Sequence, residues 1–208
     1  MDRILTLIGG IFWVITYIEI IRCGIRDKTC SMPLIAIGLN FSWELLFLIN
    51  NKFNDIKILF LINIIWIVLD VVIGYLYFKY NGKNFKKKKY FIPYSILILI
   101  TGFIFEFAFH LEYDGKIAAS SCASFFQNAV MSILFFEKRF LEGKTKGQSL
   151  LLALSKMLGT LFMVIAKSVF LHINAFILAI GIICYTFDVL YILCFLKKNS
   201  NKVKLLGE

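Results

Sequence analysis

Apolar residues fill this chain in runs of about twenty, the length a helix needs to cross ~30 Å of hydrocarbon, with short polar stretches between them. The runs predict seven helical spans, at about 4–22, 32–50, 57–78, 91–111, 117–136, 149–170 and 174–196. Short connections make consecutive helices antiparallel. The predicted class is therefore all-α, a polytopic membrane protein with residues 1–208 forming a single seven-helix transmembrane domain.

The pattern also repeats. Sliding the first three spans by 118 residues lays Glu19 on Glu137, Lys28 on Lys146, Ser31 on Ser149, Asp70-Val71 on Asp188-Val189, Lys79 on Lys197 and Asn81 on Asn199. Two intramembrane aspartates coincide in that register. This predicts a 3+1+3 plan: units of about 1–81 and 117–199 in parallel orientation, joined by the span at about 91–111.

Composition agrees with a membrane protein, since 60% of the 208 residues are hydrophobic and only 17% are charged. The net charge of +10 would suit nucleic acid, but the basic residues gather in short loops, where they set topology instead. Seventeen of the 23 Lys and Arg follow spans one, three and five or lie in the C-terminal tail, and five lie on the other side. The positive-inside rule then places the N-terminus outside and the C-terminus in the cytoplasm. An abundance of Ile, Lys, Asn and Phe points to an AT-rich bacterial genome, and so to the plasma membrane. The start has no cleavable-signal pattern. Five cysteines with no CxxC pair indicate neither a disulfide framework nor a metal site.

Polar residues inside the spans change the picture most. A charged carboxylate near a bilayer centre costs about 2.5–3.5 kcal/mol even on lenient scales, which makes such residues functional candidates. Those within the spans are Glu44, Asp70, Glu106, Gln127, Asn128, Lys156 and Asp188, each expected to face the bundle interior. Asn40, Trp43, Glu44 and Phe47 follow the i, i+3, i+4, i+7 spacing, so they share one helical face. As interhelical glue, Asn40, Gln127 and Asn128 would hydrogen-bond, and Lys156 and Asp188, at similar depth, would form an ion pair. Glu106, one turn from the outer boundary near His110, is expected to snorkel to water, and His110 and His172 to sit at the interface.

Glu44 differs because no basic residue shares its level, so burial favours the neutral acid, a proton donor awaiting a substrate. Aromatic side chains (Phe41, Trp43, Phe47, Trp66, Phe125, Phe126, Tyr185, Phe187 and Tyr191) surround the candidate acids, and π faces stabilise cations without trapping them. The substrate-contacting candidates are Asn40, Trp43, Asp70, Gln127, Asn128, Lys156 and Tyr185. There is no HExxH, GxSxG, Walker loop or Asp-rich magnesium motif.

The Asn40-x-x-Trp43-Glu44 motif in span two resembles the membrane-bound terpene cyclases of fungal meroterpenoid and indole-diterpene pathways, small seven-span proteins. The resemblance implies that Glu44 and Asp188 are the proton-handling pair. It implies protonation of an epoxide or terminal alkene on a lipid-soluble polyprenyl chain, with no metal and no cofactor because no diphosphate leaves. A competing expectation comes from the 3+1+3 plan, which sugar transporters and PQ-loop proteins share. Lys28-Thr29-Cys30-Ser31-Met32-Pro33-Leu34 faintly resembles their span-two entrance, though no Pro-Gln dipeptide is present. A third option is a purely structural or receptor-like role.

Overall fold

The computed structural model describes residues 2–49, 57–112, 117–169 and 175–205. Seven helices appear: α1 (Asp2–Asp27), α2 (Leu34–Ile49), α3 (Lys57–Tyr80), α4 (Phe91–Glu112), α5 (Ile117–Phe140), α6 (Leu150–Val164, continued by a π turn, Ile165–Val169) and α7 (Ala175–Leu205). No strand occurs among the described residues. Segments 50–56, 113–116 and 170–174, which hold Lys52, Lys116 and His172, lie outside them.

Among the described residues, five helices are long and apolar enough to cross a membrane: α1, α3, α4, α6 and α7. Among the other two, α2 has 16 residues, about 24 Å at 1.5 Å per residue. The remaining one, α5, is diluted by Ser120, Ser121, Ser124, Gln127 and Asn128. Several boundaries follow local chemistry. Pro33 stands just before α2 and Pro93 in the first turn of α4, where a missing N–H costs nothing. Ser149 caps α6 by accepting the Leu152 amide at 3.0 Å.

The helices close a ring. The packing order runs α1, α3, α2, α5, α7, α6 and back to α1, while α4 stands outside against α2 and, over a shorter stretch, α5. Alongside an apolar core, the surface and interior depart from a water-soluble fold. Ile4, Ile11, Ile18 and Ile25, spaced by seven, form an exposed stripe along α1. Glu44, Asp70, Glu106, Gln127, Asn128, Lys156 and Asp188 are all buried. Lipid solvates the apolar stripe, so the polar side chains face one another.

Glycines allow two of these seams to close. A Cβ on Gly102 of α4 would come within 2.8 Å of the Gly38 carbonyl carbon of α2. Across α1 and α6, a Cβ on Gly9 would meet the Gly159 carbonyl oxygen at 3.1 Å. Close backbone approach of this kind lets dispersion hold membrane helices that no hydrophobic effect drives together.

At one end of the ring the α1–α2 and α5–α6 loops interlock. The Gly147 amide donates to Asp27 Oδ2 (2.7 Å), and Ser149 Oγ donates to Glu19 Oε1 (2.6 Å). Lys138 Nζ donates to the carbonyls of Cys30 (3.2 Å) and Ser31 (3.0 Å). Asn81, just past α3, clamps both backbone groups of Cys30.

Candidate functional site

Helical spacing brings the first cluster together. On α1, Trp13 and Tyr17 are four residues apart; on α2, so are Asn40 and Glu44; on α3, Asn63, Trp66 and Asp70 share a face. Asn40 Nδ2 donates to the Tyr17 hydroxyl at 2.7 Å, and that hydroxyl donates to Glu44 Oε1 at 3.2 Å. Asn63 Nδ2 donates to the Glu44 backbone carbonyl at 3.0 Å, which sets the rotation of α2 at this residue. Tyr17, Asn40, Glu44 and Asp70 are each at most 3% exposed. Glu44 and Asp70 are close enough to feel each other's charge, and no cation pairs with either among the described residues.

Many polar atoms here lack a partner among the described residues: Glu44 Oε2, both Asp70 oxygens, Asn40 Oδ1, Asn63 Oδ1 and Trp66 Nε1. Buried polar atoms are nearly always hydrogen-bonded, so a cluster of orphans marks a place where water or a ligand belongs.

The second cluster lies across Trp13. Lys156 Nζ donates to both oxygens of Asp188, at 2.9 and 3.1 Å, and to Ser132 Oγ. It also sits 5.7 Å from the centre of the Trp13 ring, whose indole meets Tyr17 edge-on at 6.0 Å. Lys156 and Asp188 are 0% and 1% exposed. The expected ion pair is therefore present, buried and fully engaged. Asn128 Nδ2 donates to Thr160 Oγ1 (2.8 Å), which donates to the Lys156 carbonyl (3.0 Å).

The ring thus joins Asn40, Glu44 and Asp70 on one side of Trp13, and Lys156, Asp188 and, through Thr160, Asn128 on the other. Trp43 is half-buried and packs on Phe47 with centroids 4.9 Å apart. Gln127 is buried with Oε1 unpartnered. Tyr185, by contrast, is 43% exposed on the outer surface of α7, apart from both clusters. Glu106 corrects its expectation: it does not snorkel but is 3% exposed, with Oε1 unpartnered among the described residues. It lies one turn beyond Gly102, whose backbone contact with α2 turns that face of α4 inward. Pattern reading missed Trp13, Tyr17, Asn63, Ser132 and Thr160. The seven-residue isoleucine stripe on α1 was the available signal, because it leaves Trp13, Thr16, Tyr17 and Ile20 facing inward.

Comparison with known proteins separates the competing readings. A family model for Pyr4-like transmembrane terpene cyclases matches residues 1–200. Terpene cyclase ascF of Acremonium egyptiacum is 36% identical over 76 residues, 35% of this chain and 26% of its own length. The Pyr4-family terpene cyclase mfmH of Annulohypoxylon moriforme is 24% identical over 162 residues, 76% of this chain and 66% of its own. Terpene cyclase pyr4 of Aspergillus fumigatus is 21% identical over 206 residues, 89% and 82% respectively. The chain thus spans about a quarter of the first of these and two thirds of the second. No solved structure gives a significant match. The small-solute transporter reading is not favoured by these likenesses. A helical membrane protein with a family match over nearly its whole length, this chain belongs to the Pyr4-like transmembrane terpene cyclases.

Proposed function

We propose that the protein cyclises a lipid-soluble polyprenyl or epoxy-polyprenyl substrate by protonation, with Glu44 as the acid. One observation carries this reading: Glu44 is buried, its Oε1 accepts from the neutral Tyr17 hydroxyl, and its Oε2 has no partner among the described residues. An unpaired carboxylate there would cost several kcal/mol, whereas the neutral acid keeps a transferable hydrogen.

The Glu44 O–H bond breaks as its proton passes to the epoxide oxygen or to a terminal alkene carbon. The epoxide C–O bond opens, or the alkene π bond is consumed, leaving a carbocation. Successive alkene π pairs form C–C bonds to the cationic carbon. Loss of a C–H proton to a carboxylate ends the cascade, so product and substrate are isomers and no oxidant is consumed. Trp13, Trp43 and Trp66 supply π faces to the passing charge, each worth about 0.5–2 kcal/mol. Asn40, Asp70, Gln127 and Asn128 offer unpartnered atoms to the polar end of the substrate. Asp188, its charge balanced by Lys156, suits the accepting step.

The same reading takes α1–α3 and α5–α7 as parallel repeats with α4 as connector. The ring order supports this, because α1–α3–α2 and α5–α7–α6 follow each other in equivalent sequence. The basic end is assigned to the cytoplasm.

The experiment is conversion of epoxidised and plain farnesyl- and geranylgeranyl-phenols by membranes carrying the protein. A cyclised isomer of equal mass is expected, and Glu44→Gln lowers its formation at least about a hundredfold while the protein remains folded. Unchanged cyclisation by Glu44→Gln overturns the assignment.

A further inference from the structure

We infer that Tyr17, backed by Asn40, is a positioning residue that decides which oxygen of Glu44 carries the transferable hydrogen. This rests on the reading of Glu44 as the acid. A tyrosine hydroxyl has one hydrogen to give and lone pairs to accept with. Asn40 Nδ2, 2.7 Å away, occupies a lone pair, so the hydroxyl hydrogen turns to its other neighbour, Glu44 Oε1, at 3.2 Å. In a neutral carboxyl the carbonyl oxygen is the stronger acceptor, so the Tyr17 bond favours that role for Oε1. The acidic hydrogen therefore rides on Oε2, the buried oxygen with no partner among the described residues.

The backbone is held as well as the carboxyl. Asn63 on α3 grips the Glu44 carbonyl, so rotation of α2 cannot exchange the two oxygens. Rotation of the carboxyl about its own axis could, and the Tyr17 bond opposes that rotation. Without it, the carbonyl oxygen would face the substrate as often as the O–H does, and Asn40 Oδ1 would compete for the hydrogen. The Tyr17 ring packs edge-on to Trp13, so Tyr17→Phe keeps the packing and removes only the hydroxyl.

Four proteins in the same membranes test this: wild type, Tyr17→Phe, Asn40→Asp and Glu44→Gln, with an epoxidised farnesyl-phenol as probe. Tyr17→Phe is expected to lower kcat about tenfold to hundredfold with KM within about twofold, the size of a positioning loss. Asn40→Asp keeps an acceptor but loses the amide donor, and kcat falls similarly. If Asn40→Asp turns over at the wild-type rate, the chain runs in the opposite direction and the inference fails. If Glu44→Gln is inactive but Tyr17→Phe is not impaired, it fails alone; activity in Glu44→Gln would topple the acid reading itself.

Infrared difference spectra decide the matter independently of turnover. A protonated-carboxyl C=O band that vanishes in Glu44→Gln is expected to move to higher wavenumber in Tyr17→Phe. A band that stays in place overturns the role of Tyr17, and the lack of any Glu44-dependent band overturns the neutral acid.

Discussion

Asp70 and Asp188, which a slide of 118 residues lays on each other in the sequence, meet opposite surroundings. Asp188 is held by Lys156, which also donates to Ser132, whereas both oxygens of Asp70 are unpartnered among the described residues, beside Glu44. One aspartate is therefore neutralised by a cation, and the other sits beside a second acid. This asymmetry makes different demands on mutation. Lys156→Met strands a buried carboxylate, and about 3–5 kcal/mol of stability is expected to go, read as a lower melting temperature in detergent. Adding Asp188→Leu should recover most of the loss, because a matched apolar pair replaces a buried ion pair at little cost. If the double variant melts below the single one, the pair does more than neutralise itself.

Among elements, the seam between α2 and α4 depends on a missing side chain. Gly102→Val would drive methyl groups into the Gly38 backbone, where a bare Cβ already comes within 2.8 Å, and should cost about 1–3 kcal/mol. Gly74→Ala on α3 meets nothing within 4 Å. It should be neutral or stabilise by about 0.5–1 kcal/mol, since alanine is the better helix former. Thermal melting of the two variants side by side checks both. The same seam shows what the pattern alone carried. Helix number, approximate bounds and the burial of Glu44, Asp70 and Asp188 followed from run length and the penalty on charge in hydrocarbon. The inward turn of Glu106 did not, because it depends on which glycine of α4 meets which of α2. Tyr17 was hidden for a related reason: one of nine tyrosines, it acquires meaning only when α1 is placed against α2. The Lys156–Asp188 pair was legible because equal depth and opposite charge leave few alternatives.

At the scale of the whole molecule, helices α1, α3 and α5 each run past their apolar stretch at the same end, the end where the loops interlock. Arg22, Arg26, Lys28, Lys79, Lys138, Arg139 and Lys144 belong to that end. With this end in the cytoplasm, a single reporter cysteine replacing Lys86 in a cysteine-free chain should resist a membrane-impermeant maleimide applied to intact cells and react once they are opened. Labelling of intact cells would reverse the orientation.

The ring is tight on one side and loose on the other. α1 and α6 meet along glycines over a long stretch, while α2 touches α5 over a shorter one, with α4 packed across both. Phe105 of α4 and Phe126 of α5 stack there with centroids 5.4 Å apart, both partly open to the outside. For the lipid-soluble substrate proposed above, lateral entry from the leaflet is expected where α4 covers this short contact, and a product just as oily would leave by the same route. Cysteines at 105 and 126, bridged by a short cleavable thiol linker, should therefore stall turnover until the linker is cut.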